Sequence, residues 1–190
     1  MVTGAAAWHR LLEAYYRDDA KWAYVIMFDP SQEKPNYTEL DERTDYFYEA
    51  VTAAGGMVST TPGVGSAYLG AYKDKNNQWF DGSRTYRLRV PPNPPAKNFW
   101  SLTIYDTYDR VQLDNPSQVA DISSRKEGLK TNDDGSVDLY VGPQAPKRWE
   151  NNWIETVPDK AWFAYFRFYG PTEGYFNRTY ALPDFEEVTN

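Results

Sequence analysis

Three segments of this 190-residue chain alternate with the period of a β-strand, and each splits into an apolar face and a mixed one. In residues 98–106, Trp100, Leu102 and Ile104 fall on one side, with Phe99, Ser101, Thr103 and Tyr105 on the other. In 161–169, Trp162, Ala164, Phe166 and Phe168 oppose Phe163, Tyr165, Arg167 and Tyr169. In 83–90, Tyr86, Leu88 and Val90 oppose Arg87 and Arg89. A slip of one residue would carry each apolar set to the wrong face, so burial of one face fixes the register.

Residues 5–27 read as a helix. Trp8, Leu11, Leu12, Tyr15 and Tyr16 recur at helical spacing, without Gly or Pro, and Asp18-Asp19 is the candidate break. The prolines of Asp29-Pro30-Ser31-Gln32-Glu33-Lys34-Pro35 mark a loop. A second helix is expected over 36–54, capped by Asn36 or Thr38 and stopped by Gly55-Gly56, with Leu40, Thr44, Phe47 and Val51 on one stripe. From Ser59 onward, short β-rich runs alternate with turn clusters. Strands are expected at 66–72, 83–90, 98–105, 136–141 and 161–169. The expected fold is mostly β: an antiparallel β-sandwich or jelly-roll-like domain over 59–190, with a helical segment over 1–58 packed on the sheet around a single core.

Composition narrows the chemistry. The chain has no Cys, which removes thiol nucleophiles, disulfides and Cys-ligated metals. His9 is its one histidine, so a two-His metal motif is excluded and a Ser–His–Asp triad would have to use His9. Neither a metal nor a cofactor is expected. A net charge of −7 repels phosphate backbones, which argues against nucleic acid as a partner. No apolar run reaches 18 residues, so no helix inserted in a membrane is expected, and the first residues do not read as a signal peptide. Aromatics are dense, with 7 Trp, 16 Tyr and 9 Phe. Tyr and Trp join an apolar body to a polar edge, which suits ligand clefts and protein interfaces as well as cores.

If the three alternating strands are neighbours, their mixed faces combine. Arg167 between Tyr165 and Tyr169, joined by Arg87 and Arg89 and flanked by Tyr105, would form a wall of aromatics and guanidinium groups. Such a wall suits a carboxylate, sulfate or sugar ligand through bidentate and cation–π contacts. The plainer alternative is an amphipathic sheet whose outer face is solvated or covered by the N-terminal helices. Asp106, Asp109 and Asp114 lie close together and could supply acid–base groups, with Arg167 or Arg125 holding an anionic substrate. The run Asn132-Asp133-Asp134-Gly135-Ser136-Val137-Asp138 clusters oxygen ligands beside a glycine. It lacks the span and closing Glu of a calcium loop, and Asp-Gly between β runs reads as a hairpin turn.

Several motifs together carry a family resemblance. Asn98-Phe99-Trp100-Ser101-Leu102-Thr103-Ile104-Tyr105-Asp106 resembles the signature strand of the paired domains of unknown function numbered 1254 and 1214. Asp81-Gly82-Ser83-Arg84-Thr85-Tyr86-Arg87-Leu88, Asn152-Trp153-Ile154-Glu155-Thr156 and Arg167-Phe168-Tyr169-Gly170-Pro171 fit the same pattern in order. The match, from about residue 40 to 188, is to the C-terminal, 1214-type domain. The resemblance implies a β-sandwich or jelly-roll-like fold. Longer members carry an additional N-terminal domain, so this chain is expected to be a short member or a piece of a longer protein. Longer members are also often predicted to be exported, and on that resemblance alone a periplasmic or secreted location is favoured. No activity comes with the resemblance. Three functions stay open: a non-catalytic module binding a small molecule, glycan or protein partner; a hydrolase or lyase working through carboxylate, Tyr and Arg side chains; and a self-associating structural subunit of an assembly.

Overall fold

The computed structural model describes residues 14–25, 33–38, 40 and 57–188. Among these residues, nine strands follow in chain order: β1 (Ala23–Tyr24), β2 (Ser66–Ala71), β3 (Tyr86–Val90), β4 (Ala96–Asp106), β5 (Asp121–Ser123), β6 (Val137–Gly142), β7 (Trp153–Glu155), β8 (Trp162–Pro171) and β9 (Glu186–Glu187). A one-turn helix, α1 (Glu173–Phe176), follows β8.

The strands form two sheets. The first runs β1-β2-β8-β4-β5 and is antiparallel throughout. The second runs β7-β6-β3-β9, and its β6–β7 pair is parallel. All five strands expected from the sequence are present. The proline-rich link after β3, which holds Asn93 in a left-handed turn (φ 56°), carries the chain from the second sheet to the first. Pro cannot extend a ladder, so the run 91–95 ends one strand before the next begins.

Both sheets turn their apolar face into one core. Leu69, Leu102, Ile104, Phe166 and Phe168 come from the first; Tyr86, Leu88, Leu139, Val141 and Ile154 come from the second. Each such side chain contributes about 1.5–3 kcal/mol through burial. At the centre, Phe80 stacks on Trp162 with ring centroids 4.1 Å apart and planes 6° from parallel, and Phe185 meets both edge-on.

The first expected helix is corrected where it is described. Residues 14–25 form a tight reversal: Tyr16 N donates to Trp22 O at 2.8 Å, and Tyr24 N donates to Ala14 O at 2.9 Å. Long-range contacts override the helical spacing. The Tyr16 hydroxyl donates to Tyr175 O at 2.7 Å, and Trp22 Nε1 donates to Pro183 O at 2.8 Å. Asp18-Asp19, the candidate break, lies in the turn itself. The rest of that helix, 5–13 and 26–27, and nearly all of the second, 39 and 41–54, lie outside the described residues.

Candidate functional site

β8 lies between β2 and β4, so its register places the second face of the first sheet residue by residue. Across one row, Tyr68 of β2 pairs with Arg167 of β8, Arg167 with Ser101 of β4, and Ser101 with Ser123 of β5. On one side of that row, Phe99 pairs with Tyr169. On the other, Gly70, Tyr165, Thr103 and Asp121 align, and beyond them Tyr105 pairs with Phe163. The alternation read from the sequence therefore does bring Tyr105, Tyr165, Arg167 and Tyr169 onto one face.

Most of this face is not solvated. Phe163 and Tyr165 form a second apolar cluster with Val25 and Tyr72, and Tyr68 and Tyr105 pack against it. Phe163 stacks on Tyr72 at 5.5 Å and on Tyr105 at 5.2 Å.

Arg167 sits half-buried among these rings. Its guanidinium donates to the Tyr105 hydroxyl and lies 5.4 Å from the Tyr68 ring centroid and 5.8 Å from that of Tyr105. Its Nε is buried and has no acceptor. Among the described residues, no carboxylate forms an ion pair with it. Burial works against its charge, yet the neighbouring oxygens of Tyr105 and Tyr169 outweigh that, and its pKa is raised. Burial raises the Tyr105 hydroxyl as well, against the pull of Arg167. At neutral pH the pair is therefore a cation beside a neutral phenol.

Two further arginines flank the row. The Arg125 guanidinium lies 4.2 Å over Phe99, which stacks on Tyr169 at 4.0 Å. At the other end, the Arg110 guanidinium lies 3.9 Å over Phe163. Arg110, Tyr68 and Tyr72 were not singled out by sequence. Tyr68 carries the period-two signal of β2. Arg110 leaves no signal, because a turn residue at φ 61° belongs to no periodic segment.

Arg87 and Arg89 do not join this wall. β3 pairs with β6 and β9 in the second sheet, so its mixed face belongs elsewhere. There Arg87 meets Glu186 at 2.9 Å and Arg89 meets Asp134 at 2.7 Å. Period-two alternation identifies a face but not the sheet it belongs to.

Asp106 also lies off the wall, on the side of β4 opposite Tyr105. It accepts from Lys160 Nζ at 2.9 Å and from the backbone N–H of Tyr108 at 2.7 Å and Asp109 at 3.3 Å. Burial pushes its pKa up, but the lysine and the two N–H donors prevail and hold it below the usual carboxylate range. Asp109 and Asp114 are exposed and lie in the field of the same lysine. Of these three carboxylates, Asp106 organises the turn after β4 and pairs with Lys160. The run 132–138 is likewise a turn: Asp134 accepts from Ser136 N and Oγ, and Gly135 takes φ 82°. Among the described residues, no group of three or more His, Asp or Glu side chains could hold a metal ion, and no helix is long and apolar enough to cross a membrane.

Comparison with curated proteins finds no match. Among solved structures, the VPA0106 protein of Vibrio parahaemolyticus matches with a TM-score of 0.63 at 20% identity, over 99% of this chain and 43% of that one. A putative uncharacterized protein from Burkholderia cenocepacia matches with a TM-score of 0.43 at 16% identity, over 98% of this chain and 49% of that one. The chain thus spans less than half the length of either. The first likeness supports the mostly β, two-sheet fold. The match to the DUF1214 family covers residues 65–173, from the start of β2 into α1, and takes in the whole aromatic–arginine row. On that match, the chain belongs to DUF1214, a family of proteins of unknown function.

Proposed function

We propose that this domain is a β-sandwich binding module, and that it holds a small anion at Arg167. The observation that carries the reading is a half-buried guanidinium with an orphaned Nε donor and no carboxylate partner among the described residues. A charge taken out of water without a counter-ion is costly, and an anionic ligand would repay that cost through charge-assisted, bidentate hydrogen bonds. Tyr68 and Tyr105 hold the guanidinium through ring faces and a hydroxyl, and the unsatisfied Nε is the donor that a carboxylate, sulfate or acidic sugar would take.

Binding is favoured over catalysis because, among the described residues, the acidic groups nearby are committed or remote. Asp106 is tied to Lys160 on the opposite face, and Asp121, two strands away on edge strand β5, is exposed. Titration calorimetry with acetate, sulfate and glucuronate tests the reading. At least one of the three is expected to bind. Arg167→Ala should weaken that binding by about tenfold or more, the equivalent of one charge-assisted hydrogen bond. Unchanged binding in a folded Arg167→Ala variant would remove the proposal.

A further inference from the structure

A cavity of about 380 Å³ opens where β1 and β2 meet the segment after β8. Tyr24, Tyr68, Tyr175 and Phe176 line it, with Ser59 and Arg178 among its polar groups. Its size falls in the range of small-molecule pockets, and a lining of aromatics with a few polar groups is the usual composition of such sites.

The aromatic walls are braced. Tyr16 stacks on Tyr175 at 5.4 Å and donates its hydroxyl to the Tyr175 carbonyl at 2.7 Å. Tyr24 stands edge-on to Tyr16 at 5.5 Å and to Tyr175 at 6.3 Å. The rings therefore need little ordering when a ligand enters, which keeps the entropic cost of binding low.

Arg178 is placed by its backbone. It takes a left-handed conformation (φ 59°), its N–H donates to Tyr175 O at 3.2 Å, and its carbonyl accepts from the Arg17 guanidinium. Arg17 is itself fixed by Asp19 at 2.8 Å. The Arg178 guanidinium lies 5.6 Å from the centroid of the Tyr24 ring and forms no ion pair with any described carboxylate. A planar cation on an aromatic floor, beside an aromatic cavity, matches a molecule with one planar ring and one planar anionic group.

We propose that this cavity is a second ligand site, which takes a small aromatic carboxylate with its ring among Tyr24, Tyr68 and Tyr175 and its carboxylate on Arg178. The site stands apart from Arg167, although Tyr68 borders both. Titration calorimetry with benzoate, benzamide and acetate tests it. Benzoate is expected to bind, with benzamide and acetate each weaker by about tenfold, since each lacks one half of the recognition. Arg178→Ala should weaken benzoate by about tenfold. Because Arg178 is exposed, that variant should keep the parent melting temperature. Arg167→Ala should leave most of the benzoate binding in place, with a change of no more than about threefold, since Tyr68 is the side chain the two sites share. Equal binding of benzoate and benzamide, insensitivity to Arg178→Ala, loss of benzoate through Arg167→Ala, or no benzoate binding at all would each overturn the assignment. Sulfate or glucuronate binding that depends on Arg167 would stand or fall separately.

Discussion

Arg89 and Arg167 both lie on the mixed face of a β-strand, and their surroundings give them different work. Arg89 is exposed and paired at 2.7 Å with Asp134, whose carboxylate also accepts from the Ser136 hydroxyl at 2.6 Å and the Ser136 N–H at 3.0 Å. Those Ser136 hydrogen bonds, with Arg89 in addition, hold the Asp134 pKa down at about 2. An unfolded Asp titrates near 3.9. Between the two values the folded chain binds fewer protons than the unfolded one, so the stability from this carboxylate is complete above about pH 4 and is lost as pH falls through about 2. The denaturation midpoints of the parent and Asp134→Asn should accordingly converge between pH 5 and pH 2; a constant gap would contradict the assignment. Added salt should weaken only the part owed to Arg89, since the pair is solvent-exposed.

Asn152, in the 3-10 turn before β7, fastens elements that periodicity could not reveal. It is fully buried: its Oδ1 accepts from Lys130 N at 2.8 Å, and its Nδ2 donates to Lys130 O at 2.9 Å and to Asp138 O at 2.8 Å. Asn152→Ala removes three hydrogen bonds, of which the one to Asp138 O is fully buried, and should cost about 2 kcal/mol in urea denaturation; a loss below about 0.5 kcal/mol would show that the clamp is dispensable. The longer strands were legible because five or more alternating residues make a pattern. β1, β5, β7 and β9 have two or three residues each, too few for a period of two to register. Their pairing comes from distant partners, as when Trp153 and Ile154 of β7 align with Tyr140 and Val141 of β6. The same limit explains the misread segment around Tyr16 and Trp22, where contacts some 160 residues away in sequence decide the conformation. For the candidate site, the sequence placed Tyr105, Tyr165, Arg167 and Tyr169 on one face but could not tell which sheet Arg87 and Arg89 would join.

Across the whole molecule, the first sheet is buried on both faces for part of its width. Trp162, Phe166 and Phe168 enter the shared core, while Phe163 and Tyr165 enter the second cluster. Within that second layer Arg167 is one exception to apolar packing, since its described neighbours offer rings and hydroxyls where a structural arginine would ordinarily find a carboxylate. A cation kept for a ligand should cost the unliganded fold something, whereas a cation kept for stability should not. Thermal melting of Arg167→Met, with and without sulfate or glucuronate, separates the two directly. The account predicts an unliganded melting temperature equal to or above the parent's, together with loss of any anion-induced rise. A variant that melts several degrees lower, from a parent that no anion stabilises, would contradict the account and assign Arg167 to the architecture of the sheet.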